Sequence, residues 1–364
     1  MSSDSQAFEI RPYQAGDEEG IVELLKLSHP HWVNQENALA TWKWQFTEDP
    51  SRVMIAVGLS VGKIICVMLT FKVNIKLADS SIVAAYGGDV ATHPDYRKLG
   101  VYSKVTQLMD KMRSEKGIQF VYASSSHPAV IREWIKRNRV PLPFSVDIMV
   151  RIKDIKLHLE RKPMNNASII QATYSTLKIL NQTKTTLTSK PKQIGDLTID
   201  EVVRFDARID AFWDKVKEEY DFILERKSAY LNWKYCDHPT IDYKVKQARS
   251  GEDLLGYIVY TLRKSDGYSE GYIIDLLTNS NRLDVANALY QDACDYFDDH
   301  KVNTAYCRVV NGHPYQSLSA RYGFIAAQLN KQLEYCDIMD CKKEFEVVSR
   351  SSPDRVIFGY SETL

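Results

Sequence analysis

The sequence lacks several features that would assign it to a specialised class of protein. Lys and Arg total 47 and Asp and Glu total 47, so the net charge is zero and no broad positive surface for nucleic acid is expected. No apolar run approaches the roughly 18 residues that a membrane span requires. The first ten residues also lack the basic and apolar regions of a signal peptide. We therefore expect a cytoplasmic protein that binds neither nucleic acid nor a membrane.

Cysteine clustering is also absent. The 6 cysteines are spread along the chain, and only Cys336 and Cys341 lie close to each other. No His/Cys cluster accompanies that pair, so the sequence predicts no metal site. The spacing is more typical of free or buried thiols in a reducing compartment than of a disulfide framework.

The 364 residues are enough for about two domains. Apolar residues make up 44% and charged residues 26% of the chain, as in ordinary soluble globular proteins. The chemistry must therefore be sought in local motifs.

The most informative stretch is residues 86–103, which reads YGGDVATHPDYRKLGVYS. Its first part, ending at Thr92, is typical of a buried strand, and His93-Pro94 predicts a turn. A helix should follow the turn, because its apolar residues recur with helical spacing. These apolar positions are Val101, Val105, Leu108, Met109 and Met112.

A strand that leads through a basic turn into a helix start can bind an anion. The first N–H groups of a helix have no acceptor within the helix, and they lie at the positive end of its dipole. A phosphate is stabilised there. Gly100 would let the backbone approach closely, and Arg97 and Lys98 add positive charge. A solvated basic turn with no ligand is the alternative interpretation.

These residues resemble the acetyl-CoA signature of the GNAT acyltransferases, [Q/R]-x-x-G-x-[G/A]. The match departs from the signature only at Tyr102, where Gly or Ala is usual. The resemblance implies that acetyl-CoA is the acyl donor and that its pyrophosphate lies against the turn and the helix start. The residues that would form this cradle are Arg97, Lys98, Leu99, Gly100, Val101, Tyr102 and Ser103.

The resemblance also implies roles for the preceding strand. In GNAT proteins this strand pairs with the pantetheine arm, a role that would fall on Val90, Ala91 and Thr92. A backbone N–H of the same strand would receive the thioester oxygen, as in an oxyanion hole. The implied fold class is α/β, with a mostly antiparallel mixed sheet flanked by helices in each domain.

The acid and the base are less well defined. Asp89 occupies a position where some GNAT enzymes carry a carboxylate that acts directly or through water. Many members use a tyrosine in the helix after residues 118–124 as the acid, but here that helix contains Trp134 and no tyrosine. We expect Tyr122 or Ser124 to serve instead, unless the thiolate leaves unassisted.

An internal repeat divides the chain. Asp89 and His127 are 127 − 89 = 38 positions apart, and Asp275 and His313 are 313 − 275 = 38 positions apart. Each histidine precedes a proline. Equal spacing between matching landmarks indicates a duplication with a period near 186 residues.

The duplication predicts a tandem protein with one degenerate copy. We expect a GNAT domain at 1–153, a polar connector at 154–198 and a GNAT-like domain at 199–364. A shift of 186 positions replaces the motif residues with side chains unsuited to a pyrophosphate. The replacements are Leu283 for Arg97, Asp284 for Lys98, Ala286 for Gly100 and Ala288 for Tyr102. Because Asp89 is matched by Asp275, a structural role for Asp89 is also open.

Three functions are compatible with the sequence. The first is acetyl transfer from acetyl-CoA to a primary amine of a small molecule or amino sugar, bound between the strand of Asp89 and the second domain. The second is a non-catalytic protein that senses CoA and recruits a partner. The third is a tRNA-dependent aminoacyltransferase, which the neutral charge and the intact motif disfavour. A homodimer is a further expectation.

Overall fold

A computed structural model describes the chain over residues 8–33, 37–47, 49, 51–125, 128–161, 195–265, 267–326, 332–338 and 342–357. His127, most of the predicted connector and the last residues of the chain therefore lie outside the described residues. No helix among those that the structure describes is long and apolar enough to cross a membrane.

In the first half, strands of one sheet alternate along the chain with helices that pack on that sheet. Its strands are β1 (Glu9–Pro12), β2 (Val53–Ser60), β3 (Lys63–Leu77), β4 (Ser80–Thr92), β5 (Phe120–Ser125) and β6 (Val140–Ile152). Its helices are α1 (Glu18–Ser28), α2 (Pro30–Val33), α3 (Ala38–Phe46), α4 (Val101–Glu115), α5 (Pro128–Lys136) and α6 (Ile155–Arg161). A short 3-10 turn, Pro94–Tyr96, joins β4 to α4.

The second half repeats this order of elements. Its strands are β7 (Leu197–Glu201), β8 (Phe222–Leu224), β9 (Tyr243–Ser250), β10 (Asp253–Ser265), β11 (Tyr268–Thr278), β12 (Thr304–Val310), β13 (Ile325–Ala326), β14 (Gln332–Ile338) and β15 (Val356–Ile357). Its helices are α7 (Ala207–Val216), α8 (Ser228–Leu231), α9 (Leu283–Asp299), α10 (Pro314–Arg321) and α11 (Lys342–Val348). Within each half the order runs strand, helices, three-stranded meander, long helix, strand, helix.

The predicted α/β class is confirmed, and so is the mixed, mostly antiparallel pairing. The strands β2, β3 and β4 pair antiparallel, whereas β4 pairs parallel with β5. The second half shows the same pattern, with antiparallel β9, β10 and β11 and a parallel β11–β12 pair.

The two halves share one continuous hydrogen-bonded sheet, which the sequence did not predict. β6 of the first half pairs antiparallel with β12 of the second half over residues 146–152 and 304–310. β14 lies between β5 and β6 and pairs with both. β8 pairs with the far end of β3. A strand from the second half therefore completes the sheet of the first, and the proposed domain boundaries stay a prediction.

The core is shared in the same way. One buried cluster contains Phe120 and Tyr122 of the first half together with Phe222 and Val356 of the second. At another contact, Trp44 and Trp233 stack with ring centroids 5.0 Å apart. These two tryptophans therefore pack against each other across the halves.

Two turns of the first half, between β1 and α1 and between β2 and β3, have a defined local geometry. Asp17 lies at the N-cap position of α1, but its carboxylate binds the guanidinium of Arg11 and the N–H of Gln14 and does not cap the helix. The β2–β3 turn is formed by Val61 and Gly62, both with positive φ, and Lys63 already belongs to β3.

Candidate active site

The candidate site is a cleft where β4 and β5 separate. Parallel pairing between them ends at Tyr86 and Tyr122, whereas the other edge of β5 pairs with β14 over all of residues 120–125. Gly87 lies just beyond this point, where an added Cβ would be only 2.9 Å from the Cβ of Ala123. Glycine therefore permits close contact of the strands at the base of the cleft. Above it, β4 keeps β3 as its partner and turns its other edge toward the cleft.

A bulge distorts β4 at the mouth of this cleft. Met68 of β3 pairs with Val90 and Thr70 pairs with Gly87, so Gly88 and Asp89 together face one residue of β3. Such bulges redirect side chains and occur preferentially beside active sites. Asp89 therefore lies at an irregular position of the strand, next to the residues predicted to bind pantetheine.

The turn after α1 holds the bulge in place. The indole N–H of Trp32 donates to Oδ2 of Asp89 over 2.7 Å, and Trp32 itself is buried. Nε2 of His29 lies 3.0 Å from the carbonyl oxygen of Val90. Because a carbonyl only accepts hydrogen bonds, Nε2 carries the proton in this contact. Sequence reasoning missed both His29 and Trp32; the run HPHW at residues 29–32 was the available signal.

Asp89 and Asp275 occupy equivalent strand positions but have different surroundings. Asp275 is buried and pairs with Arg226, its Oδ2 lying 3.2 Å from Nε. The same carboxylate accepts hydrogen bonds from the hydroxyls of Tyr257 and Tyr235. Asp89 is only half-buried and borders the cleft. The repeat therefore does not give the two carboxylates the same role.

The predicted phosphate turn has the backbone that anion binding requires. Lys98 and Gly100 both adopt positive φ, at 66° and 83°. The first bond of α4 runs from the N–H of Lys104 to the carbonyl of Gly100, so the three preceding N–H groups have no acceptor within the helix. A Cβ on Gly100 would meet nothing within 4 Å. The space in front of the helix start is open.

Packing and charge position this helix start. Val101 is buried and would lie 2.8 Å from a Cβ on Gly58 of β2, so glycine there allows α4 to approach the sheet. Nε of Arg97 donates to the carbonyl of Thr92 over 3.2 Å and ties the turn to β4. Lys98 and Leu99 are exposed beside it. The turn is thus both basic and accessible.

A further cation, which sequence reasoning missed, lies at the first turn of α4. Nη2 of Arg137 donates to Oγ of Ser103 over 3.2 Å, and Nη1 of Arg137 lies 3.6 Å from Oδ2 of Asp110. Arg137 follows α5, so it is distant from the motif in sequence and no local pattern reveals it. The guanidinium contributes positive charge to the region predicted for the pyrophosphate.

The predicted proton donors lie on β5. Tyr122 is buried at the base of the cleft, with its ring centroid 5.0 Å from that of Tyr86 and 5.6 Å from that of Phe222. The backbone of Ser124 pairs with Glu334 of β14. The side chain of Ser124 lies outside what the structure describes.

The equivalent cleft of the second half is filled by its own residues. β11 and β12 stop pairing at Ile273 and Cys307. Beyond that point the N–H of Thr278 donates to the hydroxyl of Tyr315 over 3.2 Å. Its carbonyl accepts from the hydroxyl of Tyr220 over 3.3 Å. Tyrosine hydroxyls therefore bond both backbone groups of Thr278, whereas the carbonyl of the equivalent Thr92 accepts from Arg97.

The second phosphate turn is also replaced. α9 begins at Leu283, four residues before the position equivalent to the start of α4, so an added helical turn stands where the first half has its loop. The N–H of Ser280 donates to the carboxylate of Glu219. Asp284 is hydrogen-bonded by Arg282, which lowers the pKa of Asp284. Carboxylates occupy the place where a phosphate would be needed.

Comparison with known proteins agrees with this geometry. Residues 9–134 match the family model described as an acetyltransferase (GNAT) domain. The chain carries a GNAT domain. The match covers the bulged strand, the basic turn and α4, and it ends within α5.

Solved structures extend the likeness in fold beyond this GNAT domain. A GCN5-related N-acetyltransferase from Anabaena variabilis superposes with a TM-score of 0.64 at 14% identity, over 92% of this chain and 74% of the other. A probable N-acyltransferase from Enterococcus faecalis gives 0.61 at 12% identity, over 92% and 73%. A GCN5-related N-acetyltransferase from Kribbella flavida gives 0.57 at 12% identity, over 93% and 73%. No curated protein sequence matches the chain.

Proposed function

We propose that the protein is an N-acetyltransferase that moves an acetyl group from acetyl-CoA to a primary amine of a small molecule or amino sugar. The GNAT domain and the N-acyltransferase fold support acyl transfer in general. The observation that carries the specific proposal is the open cleft beside the bulge of β4, which leads to a basic helix start.

The residues of the first half are suited to bind acetyl-CoA, the proposed acyl donor. The N–H groups at the start of α4, with the charges of Arg97, Lys98 and Arg137, would hold the pyrophosphate. The edge of β4 that faces the cleft at residues 90–92 would pair with the pantetheine arm, although the carbonyls of Val90 and Thr92 already accept from His29 and Arg97. Bound in this way, acetyl-CoA supplies an activated acyl group at the bulge. The second half, with its cleft filled and its turn replaced, is proposed not to bind CoA.

Proton transfer is assigned to residues around the same bulge. We propose that Asp89, oriented by the Trp32 indole, accepts the proton of the acceptor amine directly or through one water. Tyr122 and Ser124 are the proposed donors to the departing thiolate. The amine would approach from the side of the α1–α2 turn and the second half.

The direct test combines calorimetry with acetyl-CoA and a thiol-release assay across a panel of amines. Binding with thiol release is the expected outcome, and Asp89→Asn should lower turnover much more than acetyl-CoA affinity. The absence of both heat and thermal shift at millimolar acetyl-CoA would refute the donor assignment.

The absence of a tyrosine from α5 and the burial of Tyr122 support a second candidate, a non-catalytic CoA-binding protein with a partner-binding second half. Acetyl-CoA binding without thiol release for any amine would favour it. Salt-sensitive binding of aminoacyl-tRNA would favour the aminoacyltransferase alternative instead.

A further inference from the structure

A second cavity lies between the two halves, apart from the cleft of β4 and β5. It has a volume of about 220 Å³. The first half contributes the end of α3, the turn that leads into β2 and residues 71–74 of β3. The second half contributes the end of β8 and residues in and just after α8. The residues used below are Asp49, Arg52, Phe71, Lys72, Glu225 and Trp233.

One wall of the cavity is aromatic. Phe71 is buried and packs on Phe46 with ring centroids 5.0 Å apart. Trp233 is held from the other half by its stack on Trp44. Each of these two rings is held by a stacked aromatic partner. An apolar group that enters the cavity therefore meets a rigid surface.

Part of the charge in the cavity is already neutralised. Nε of Arg52 lies 2.8 Å from Oδ2 of Asp49, and the same carboxylate accepts a hydrogen bond from Ser51. The Arg52 guanidinium also lies 5.5 Å from the ring centroid of Trp233. Arg52 and Asp49 therefore satisfy each other and shape the wall, and neither is the natural contact for a ligand charge.

Two opposite charges in the cavity are not paired in this way. Within the part of the chain that the structure describes, Lys72 makes no ion pair, although it is half-buried. Among the described side chains, the one that donates to the half-buried Glu225 is Asn74, over a long 3.4 Å. Partly desolvated charges are costly unless a partner of opposite sign meets them. The cavity thus offers one cation and one anion beside an aromatic wall.

We propose that this cavity binds a free α-amino acid with an aromatic or aliphatic side chain. The ligand's carboxylate would meet Lys72, its ammonium would meet Glu225, and its side chain would lie against Phe71 and Trp233. Pockets for drug-sized ligands begin at about 300 Å³. The cavity, at about 220 Å³, is smaller and suits a molecule of the size of an amino acid. The proposal goes beyond acetyl transfer and does not depend on it.

Calorimetry on the full chain with L-phenylalanine and L-leucine tests the proposal. L-Phenylalaninamide lacks the carboxylate and N-acetyl-L-phenylalanine lacks the ammonium. We expect each of these analogues to bind about tenfold more weakly than L-phenylalanine, or worse. No heat with either free amino acid, or equal affinity for the two blocked analogues and the free amino acid, would overturn the assignment.

Variants locate the site independently of catalysis. Lys72→Gln and Glu225→Gln should each weaken L-phenylalanine binding by about tenfold or more while leaving acetyl-CoA affinity unchanged. Lys111→Gln and Glu115→Gln, at an exposed ion pair of α4, are the matched controls and should change neither affinity.

Saturation with acetyl-CoA separates this proposal from the proposed function. L-Phenylalanine should bind the saturated protein as well as the free protein, because its site lies outside the cleft. Binding that acetyl-CoA displaces would overturn the separate site. If acetyl-CoA does not bind at all, the proposed function fails and the amino-acid titrations still decide this inference.

Discussion

The Gly100→Asp substitution tests the donor site most sharply, with Gly100→Asn as its matched control. Gly100 has a φ of 83° and open space before it, so a short side chain meets no atom there. Asn and Asp both tolerate the left-handed region better than other residues. Each variant should therefore lose a similar amount of stability, about 1 kcal/mol, and keep the fold.

The two variants differ in charge alone. An Asp carboxylate about 4 Å from one phosphate charge would cost about 1 kcal/mol in water, and about 4 kcal/mol at the effective dielectric of a protein surface. That energy corresponds to a loss of acetyl-CoA affinity between about fivefold and several hundredfold. Gly100→Asn should lose much less, because an amide carries no charge.

Calorimetry with acetyl-CoA measures the difference between the two variants. Melting temperatures of both variants serve as the control for folding. If Asp and Asn at this position bind acetyl-CoA equally well, no phosphate lies at the start of α4 and the assignment of residues 97–103 is wrong.

Three further substitutions test separate parts of the argument. Asp284→Ala should leave acetyl-CoA affinity unchanged in calorimetry, and a large change would show that the second half takes part in binding. Arg137→Ala should weaken acetyl-CoA several-fold through the loss of a cation beside the first turn of α4, whereas the exposed Arg132→Ala should not. Burial lowers the pKa of His313 to about 4, so its neutral form stabilises the fold above the unfolded pKa of about 6.5, and that stability is lost as the pH falls from 6.5 toward 4. Urea unfolding should show a loss of about 2 kcal/mol from this group between pH 7.5 and 5. His313→Asn should remove that part of the pH dependence while still accepting the bond from the N–H of Tyr315; an unchanged pH dependence would contradict it.

Local patterns predicted most of the individual elements correctly. The strand, turn and helix around Gly100 follow from apolar periodicity and from the conformations that proline and glycine allow. The repeat in the second half was predicted from the equal spacing of matching landmarks along the chain.

The candidate site was predicted only in part. The basic turn was visible because its residues are contiguous in sequence. The contacts of Asp89 with Trp32 and of Ser103 with Arg137 were not, because they join segments 57 and 34 residues apart. The bulge that carries Asp89 depends on the register between β3 and β4, which no local pattern specifies.

The sequence by itself determined the helix start that presents its N–H groups and the glycine that leaves it open, and it predicts a second copy with Ala286 in place of that glycine. These features follow from short-range sterics and from spacing along the chain. Only the tertiary structure decided that β14 crosses to complete the first sheet, that tyrosines fill the second cleft and that a charged cavity forms between the halves. Each of these depends on contacts between residues far apart in sequence, where the packing of the whole chain selects the partner.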